Sequence, residues 1–342
     1  MKYPIVLKTN DQLNKTQKAL IVHFGGERKV FSTSIANGGI KNNLKSIFNY
    51  DLRDEKGICE LHQATYKDEL IAIAEELALD PNTTTGMSTA VGMGDAAIKA
   101  GSVKGLTVYA IVTAGIENNG GAAGDPCSYT EGETGFEKLN GTINIMVLIN
   151  ADLDDGILCR AAVTATEAKT AAIGELRLPS LYSAEIATGS GTDGLIIAVD
   201  PHSEFKLTDA GQHSLLGELI GKTVKLGVRD ALLKHMSETD TDMRKMGNRL
   251  KRLGITSAGF QVYCYQNDVS EDVAESIWAK VQSDEKYGLE GSMVASFADD
   301  VRHNLINKRD ALKMATEKLR LVGSFEPLDF DDLWYEYLIR MK

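Results

Sequence analysis

The segment Thr164-Ala-Thr-Glu-Ala-Lys-Thr170 places a carboxylate, an amine and several hydroxyls close together in the chain. Glu167 is of a type that serves as a general base, Lys169 can protonate a leaving amine, and Thr166 can form an acyl intermediate. On a regular helix the two charged side chains lie about 200° apart and do not easily line one pocket, whereas on a strand they share a face. The segment therefore supplies groups for acyl chemistry whose joint use depends on the backbone.

Lys169 lies in the middle of an apolar stripe on the helix that the pattern predicts over Asp154–Leu178. A lysine in such a stripe must extend to solvent, pair with an acid or take part in chemistry. A structural ion pair and a role in a site both remain open for Lys169, and Glu167 is equally open between a surface carboxylate and a base. The stripe consists of Leu158, Ala162, Ala165, Ala172 and Leu176.

Six short segments rich in glycine, threonine, asparagine and aspartate punctuate the first part of the chain. Glycine beside a strand end permits a tight turn and a close approach of the backbone to a ligand. Most of the polar side chains in these segments are neutral, so they suit an amide-rich ligand better than a phosphate-rich one. The segments are Asn37-Gly-Gly39, Thr83-Thr-Thr-Gly86, Thr113-Ala-Gly-Ile-Glu-Asn118, Gly120-Gly-Ala-Ala-Gly-Asp125, Gly141-Thr-Ile-Asn144 and Thr188-Gly-Ser-Gly-Thr-Asp193.

Other binding and catalytic patterns are incomplete. Gly189-x-Gly191 is half of a dinucleotide fingerprint, but its third glycine is missing and a strand follows the turn. The chain has no GxSxG elbow, no C-x-x-C pair and no pair of histidines at metal-ligand spacing. We therefore expect no metal and no organic cofactor.

Single histidines and cysteines give weaker candidates. His213 precedes a predicted helix, where it either faces a cleft or packs at the helix start. Cys127 lies in a glycine-rich loop, but no histidine partner can be assigned to it. Cys159 and Cys264 are expected in the core.

Composition and charge exclude several classes of protein. The chain has 342 residues, of which 43% are apolar and 25% charged, a balance typical of a globular protein rather than a disordered one. A net charge of −11 makes nucleic acid a poor partner. The N-terminal residues lack a signal peptide, and no apolar run is long enough to cross a membrane. With four cysteines in no recognisable pairing, we expect a cytoplasmic protein.

The pattern predicts an α+β fold, with a mixed or antiparallel sheet packed with helices. Ala19–Phe24 and Lys29–Ile35 are expected to form a hairpin around Gly25-Gly26, and Phe260–Tyr265 alternates like a strand. Further buried strands and amphipathic helices are predicted from short apolar runs and from the helical period. The strands are Leu106–Thr113, Thr142–Asn150 and Leu195–Val199, and the helices are Tyr66–Leu79, Leu215–Leu233, Asp272–Ser283, Met293–Asn304 and Asp310–Leu321.

A change in composition near residue 237 predicts a domain boundary at about 236–242. Residues 1–236 are rich in glycine, alanine, threonine and β-branched residues, and residues 237–342 contain long charged runs that favour helices. The second part should therefore be a mainly helical domain. Its aromatic end, with Trp334, Tyr335 and Tyr337, is expected to be an amphipathic helix docked on the core.

The polar segments, taken in order, resemble the adenosylcobinamide amidohydrolase family over about residues 20–235. Each segment alone is weak, but the ordered series is specific. The loop Glu117–Glu137 fits the family pattern loosely, and residues from about 237 onwards lie outside it. The matching segments are Asn37-Gly-Gly39, Thr113-Ala-Gly115 with Asn118, Gly141-Thr-Ile-Asn144, Thr164–Thr170, Thr188-Gly-Ser-Gly-Thr-Asp193 and Gly211-Gln-His213 through Gly217.

The resemblance implies an enzyme of corrinoid salvage. Family members hydrolyse the amide that joins a corrin-ring propionate to aminopropanol, leaving adenosylcobyric acid, and cobalt arrives only as part of the substrate. A homo-oligomer is compatible with this assignment. The motif positions supply candidate substrate-binding residues, namely Asn37, Gly38, Gly39, Thr113, Asn118, Asn144, Thr166, Thr188 and Thr192.

Two catalytic schemes are compatible with these residues. In the first, Glu167 is the base, N–H groups of the Gly189–Asp193 turn stabilise the oxyanion, and His213 or Lys169 protonates the amine. In the second, Thr192 or Thr166 forms an acyl-enzyme. The catalytic candidates are thus Glu167, Lys169, Asp193 and His213.

Two other functions remain open at this stage. The same cleft would serve a corrinoid-binding or carrier protein that does not hydrolyse its ligand. A general amidase or acyltransferase with a threonine nucleophile is the other alternative.

Overall fold

The computed structural model describes residues 4–127, 141–236, 245–283, 285–321 and 325–340. The predicted domain boundary at 236–242 lies almost wholly outside these residues. The loop Glu117–Glu137 is described only as far as residue 127. The division into domains 1–236 and 237–342 therefore stays a prediction. By its contacts the chain separates into two compact units, the first Met1–Leu176, Ser180–Tyr182 and Ile186–Asp240 and the second Arg177–Pro179, Ser183–Glu185 and Thr241–Lys342.

In the described residues, the first unit contains two large β-sheets, one short two-stranded sheet and three α-helices. The helices are α1 (Tyr66–Glu76), α2 (Asp155–Glu175) and α3 (Leu215–Met236). The strands are β1 (Ile5–Val6), β2 (Gln12–Lys15), β3 (Ala19–His23), β4 (Lys29–Ser32), β5 (Gly39–Lys41), β6 (Ser46–Asp51), β7 (Thr84–Thr89), β8 (Ala97–Val103), β9 (Leu106–Gly115), β10 (Thr142–Ile149), β11 (Asp152–Leu153), β12 (Gly194–Val199) and β13 (Lys206–Leu207).

Both large sheets are mixed, which confirms the predicted α+β class. The first sheet has the order β1-β2-β3-β6-β7, and the second has the order β5-β4-β12-β10-β9-β8. In each sheet one pair of strands is parallel, β6 with β7 and β10 with β12, and the other pairs are antiparallel. The predicted buried strands correspond to β9, β10 and β12.

The two sheets pack face to face between layers of helices. Apolar side chains of both sheets, such as Val22 and Ile47 in the first and Met146 and Ile196 in the second, share one core. Helix α1 covers the outer face of the first sheet, where Leu70 packs with side chains of β3 and β6. Helices α2 and α3 lie together on the outer face of the second sheet. The unit is thus a four-layer α/β/β/α sandwich.

Strand β7 runs across the ends of three strands of the second sheet. Its Thr85 hydroxyl lies 3.1 Å from the Ser32 hydroxyl at the end of β4. Further along, a Cβ atom at Gly194, the start of β12, would collide with Met87 of β7, so only glycine permits this approach. Asn144 of β10 then donates to the Ser88 carbonyl of β7. This crossing closes one end of the sandwich.

The predicted hairpin over residues 19–35 is wrong. Strand β3 pairs with β2 and β6 in the first sheet, whereas β4 pairs with β12 and β5 in the second. Gly25 lets the connection pass against the backbone of Asn10, whose carbonyl would collide with a Cβ atom there. The segment Thr83–Gly86, predicted as a turn, mostly belongs to buried β7, where its hydroxyls bond within the protein.

The second unit is helical in the described residues and has an aromatic core. Trp334 and Tyr337 are among its most buried side chains, which confirms a docked C-terminal helix. The predicted strand Phe260–Tyr265 is wrong, because Phe260 and Cys264 are buried one helical turn apart. The helices are α4 (Met246–Lys251), α5 (Ser257–Gln266), α6 (Glu271–Ser283), α7 (Glu285–Arg302), α8 (Lys308–Lys318) and α9 (Phe330–Arg340).

Candidate functional site

The turn before β12 holds the carboxylate of Asp193 in a fixed position. Its Oδ1 atom accepts hydrogen bonds from the backbone N–H of Ile143, at 3.1 Å, and of Ser190, at 3.2 Å. The hydroxyl of Ser190 donates to the same oxygen at 2.6 Å. Three donors fix Oδ1 in place and leave Oδ2 to face helix α2.

Lys169 of α2 forms an ion pair with Oδ2 of Asp193. The side chains of Lys169 and Asp193 are 12% and 17% exposed, so the pair is shielded but reachable from solvent. Gly189 makes room for it, because a Cβ atom there would collide with the carboxylate and lie 2.8 Å from Lys169 Nζ. The lysine in the apolar stripe thus finds its acid partner in the turn beside β12.

Thr192 is an exposed residue of the turn beside this ion pair. Thr192 Oγ1 donates to the Gly141 carbonyl at 3.0 Å and lies 3.2 Å from Ser190 Oγ. It also accepts from Nδ2 of Asn119, which at the same time donates to the Gly141 carbonyl. The chain of polar contacts therefore runs from the Thr192 hydroxyl through Ser190 to the carboxylate of Asp193.

Asn119 and Ser190 were missed by the sequence prediction, which named Asn118 instead. Asn118 is exposed, whereas Asn119 is fully buried against Gly141. Two adjacent asparagines in a loop carry no periodic signal, so burial alone separates them. Ser190 stands inside a recognised motif and could have been included on that ground.

The candidate Thr188 ties the turn to the loop at Gly121. Thr188 Oγ1 accepts from the N–H of Ala123 at 2.8 Å, and its own N–H donates to the Gly121 carbonyl. Gly121 and Gly189 also form an antiparallel bridge. The loop and the turn are therefore held together beside the Lys169–Asp193 pair.

Thr113 and Asn144 belong to a separate network between the two sheets. Asn144 Nδ2 donates to Asn49 Oδ1 at 2.8 Å, and Asn49 Nδ2 donates to Thr113 Oγ1 at 2.7 Å. All three side chains are fully buried. Their hydrogen bonds join the two large sheets next to β7. A contact of Thr113 or Asn144 with substrate stays a prediction.

Glu167, Thr166 and His213 are exposed and lie apart from the ion pair in their contacts. Glu167 accepts from Gln212 Nε2 at 2.7 Å, and the Thr166 hydroxyl bonds back to the Ala162 carbonyl of α2. Because α2 is a regular helix, Glu167 and Lys169 point in different directions. The roles predicted for these three residues stay predictions.

The Asn37-Gly-Gly39 segment connects β4 to β5 and braces it against the first sheet. Asn37 Nδ2 donates to the carbonyls of Pro81 and Thr84, both at 2.7 Å. Asn37 and Gly39 have positive φ values of 53° and 80°, which explains their residue types at this turn. A substrate contact of Asn37, Gly38 or Gly39 stays a prediction.

A largely buried charged cluster that sequence reasoning missed, with His235 at its centre, lies at the end of α3. His235 Nε2 is 2.7 Å from Glu117 Oε1, and His235 Nδ1 is 3.0 Å from Asp95 Oδ2. The hydrogen bond that His235 donates to Glu117, helped by the charge of Glu117 and by Asp95, raises the pKa of His235 to about 9 despite burial. Burial alone would raise the pKa of Glu117, but the bond and charge of His235 outweigh it and leave that pKa below its ordinary value.

This cluster packs against the end of β9. A Cβ atom at Gly115 would lie 2.8 Å from His235 Cδ2, so the imidazole covers that glycine directly. The imidazolium is closed off by carboxylates on both ring nitrogens, which leaves it no free nitrogen for catalysis. Its visible role is to anchor α3 and the loop that begins at Ile116.

The described residues have two further properties that bear on function. In the described ranges, no group of three or more His, Cys, Asp or Glu side chains is placed to hold a metal ion. Among the described helices, none combines the length and the apolar character that crossing a bilayer requires.

Cys159, expected in the core, is exposed, whereas Cys264 is buried as predicted.

Comparison with known proteins gives a clear family match. A sequence model of the adenosylcobinamide amidohydrolase family matches residues 4–240. The chain is 31% identical over 245 residues to the uncharacterized protein MJ1613 of Methanocaldococcus jannaschii, covering 68% of this chain and 92% of that protein.

Two solved structures are similar at low sequence identity. The PH0078 protein from Pyrococcus horikoshii has 14% identity and a TM-score of 0.33, over 68% of this chain and 82% of that one. A Burkholderia beta-aminopeptidase has 12% identity and a TM-score of 0.34, over 64% and 79% of the respective chains.

Proposed function

Since the chain belongs to the adenosylcobinamide amidohydrolase family, we propose that it hydrolyses the amide between a corrin-ring propionate and aminopropanol. The products are adenosylcobyric acid and free aminopropanol. The observation that carries the proposal is the family match over residues 4–240, which includes every candidate catalytic residue. Corrinoid salvage, a cytoplasmic location and a homo-oligomeric state remain predictions from the sequence.

The Lys169–Asp193 pair has the two functions that amide hydrolysis requires. The Asp193 carboxylate accepts a proton from the attacking water, and the Lys169 ammonium donates one to the departing nitrogen as the C–N bond breaks. A proton then moves from Asp193 to Lys169, which are already in contact, and both groups return to their starting states. Net consumption is one water for each amide cleaved.

The turn leaves a restricted choice of donors for the oxyanion. The N–H groups of Gly189, Ser190 and Thr192 already donate to acceptors within the protein. The N–H of exposed Gly191 makes no hydrogen bond to the described residues, so it is available to a developing negative charge.

The test is incubation of the full chain with adenosylcobinamide, followed by chromatography with mass detection. We expect adenosylcobyric acid and aminopropanol in equal amounts. Asp193→Asn should abolish the reaction, whereas the matched variant Asp272→Asn, at an exposed carboxylate of α6, should retain it. Intact substrate after prolonged incubation with correctly folded protein would refute the proposal.

Two alternatives give different results in the same assay. A corrinoid carrier would retain adenosylcobinamide in equilibrium dialysis without releasing product. A threonine-dependent amidase would accumulate an acyl-enzyme at Thr192, whose hydroxyl is linked to Asp193 through Ser190, and mass spectrometry of the protein would detect it.

A further inference from the structure

Two adjacent apolar side chains lie exposed beside the ion pair. Leu181 is 52% exposed and Tyr182 is 39% exposed. Both belong to the first unit, in the segment Ser180–Tyr182. Exposed apolar pairs of this kind are weak evidence alone, so their position and rigidity decide what they can bind.

Hydrogen bonds hold this segment against the loop at Gly121. The N–H of Leu181 donates to the Gly120 carbonyl at 2.8 Å, and the N–H of Tyr182 donates to Ser180 Oγ. The Ser180 hydroxyl in turn donates to Asp125 Oδ2 at 2.6 Å. The two apolar side chains are therefore presented by a backbone that is fixed on both sides.

The ring of Tyr182 lies one bridge away from the reacting groups. A Cβ atom at Gly121 would be 3.5 Å from Tyr182 Cδ2, so the ring rests on that glycine. Gly121 is bridged to Gly189, which contacts Lys169 and Asp193 directly. Adjacent strands lie about 5 Å apart, which places the ring roughly one strand spacing beyond the ion pair.

We propose that Leu181 and Tyr182 form the surface on which the corrin macrocycle rests while its side-chain amide reaches Lys169 and Asp193. This inference rests on the proposed function. A corrin is a broad ring with apolar faces and amides at its rim, so its face suits Leu181 and Tyr182. Its rim suits the hydroxyls of Thr188 and Thr192, which line the turn between them and the ion pair.

The test measures KM and kcat for adenosylcobinamide hydrolysis in single variants. Tyr182→Ala and Leu181→Ala should each raise KM about tenfold, equivalent to about 1.4 kcal/mol of binding, with kcat changed much less. Tyr182→Phe keeps the apolar ring and should restore KM. Tyr265→Ala is the matched control, since that tyrosine is 85% exposed in the second unit.

The outcomes separate this inference from the proposed function. If the wild-type chain cleaves adenosylcobinamide and both alanine variants keep its KM, the macrocycle rests elsewhere and the inference fails alone. If the wild-type chain neither binds nor cleaves adenosylcobinamide, both proposals fail. Circular dichroism of both alanine variants excludes misfolding as the cause of a raised KM.

Discussion

Two charged clusters at the same end of the second sheet differ in what surrounds them. The Lys169–Asp193 pair lies beside the exposed residues Gly191 and Thr192, whereas both ring nitrogens of His235 are bonded to Asp95 and Glu117. A charged pair that lies beside exposed residues of a turn is within reach of a substrate and is able to exchange protons with it. A charged group whose donors are all occupied inside the protein contributes to stability instead. The comparison assigns chemistry to the first cluster and anchoring to the second.

Lys169→Met should slow catalysis strongly, because it removes the proton donor for the leaving amine. We expect kcat for adenosylcobinamide to fall by about 10²- to 10⁴-fold. Lys313→Met, at an exposed lysine of α8, is the control and should be neutral. A kcat for Lys169→Met within threefold of the wild-type value would show that the ion pair takes no part in the mechanism.

His235→Gln should have the largest effect on stability. It leaves the carboxylates of Asp95 and Glu117 buried without a cation, so the free energy of unfolding should fall by about 3 kcal/mol. Adding Glu117→Gln to this variant should recover part of the loss. Denaturant unfolding measures both changes, and an unchanged midpoint for His235→Gln would contradict the anchoring role.

The pH dependence of stability should follow from the same histidine. Its pKa is raised from 6.5 to about 9 on folding, so its contribution is complete below pH 6.5 and is lost as pH rises through about 9. The pKa of Glu117 is lowered, so its contribution is present above its ordinary pKa and disappears in acid. The free energy of unfolding should therefore decline from pH 6 to pH 10 in the wild-type protein, by at most about 3 kcal/mol. In His235→Gln it should decline less over the same range.

Asn119→Ala tests the loop segment that links the two charged clusters. Asn119 follows Glu117 by two residues and holds Thr192 and the Gly141 carbonyl. We expect kcat to fall about tenfold through loss of this positioning, together with a loss of about 1 kcal/mol in stability. Asn118→Ala, at the exposed neighbour, is the control. Equal effects of the two variants would argue against the observed loop geometry.

Glu167→Gln should have the smallest effect. Glu167 is exposed, contacts Gln212 and points away from Lys169, so we expect kcat to stay within about threefold of wild type. Steady-state kinetics across pH 5–9 would reveal a base at this position. A hundredfold loss would restore Glu167 as the general base and make the Lys169–Asp193 pair a structural feature.

Much of the fold was accessible from local patterns, whereas the pairing of strands was not. The apolar runs of β9, β10 and β12 and the period of α2 and α3 identified these elements because each buries a continuous face. Strands β3 and β4 were joined in error, since a short glycine connection is equally compatible with a hairpin and with a crossing between sheets. Phe260–Tyr265 was misassigned because six residues fit both periods.

The sequence by itself determined the family, through an ordered series of polar segments, and the helix that carries Lys169. Only the tertiary structure decided which partners these residues have: Asp193 lies 24 positions from Lys169, and Asp95 and Glu117 lie 140 and 118 positions from His235. Periodicity reports which face of an element is buried. It carries no information about which distant side chain meets that face, because this depends on how the sheets and helices pack together.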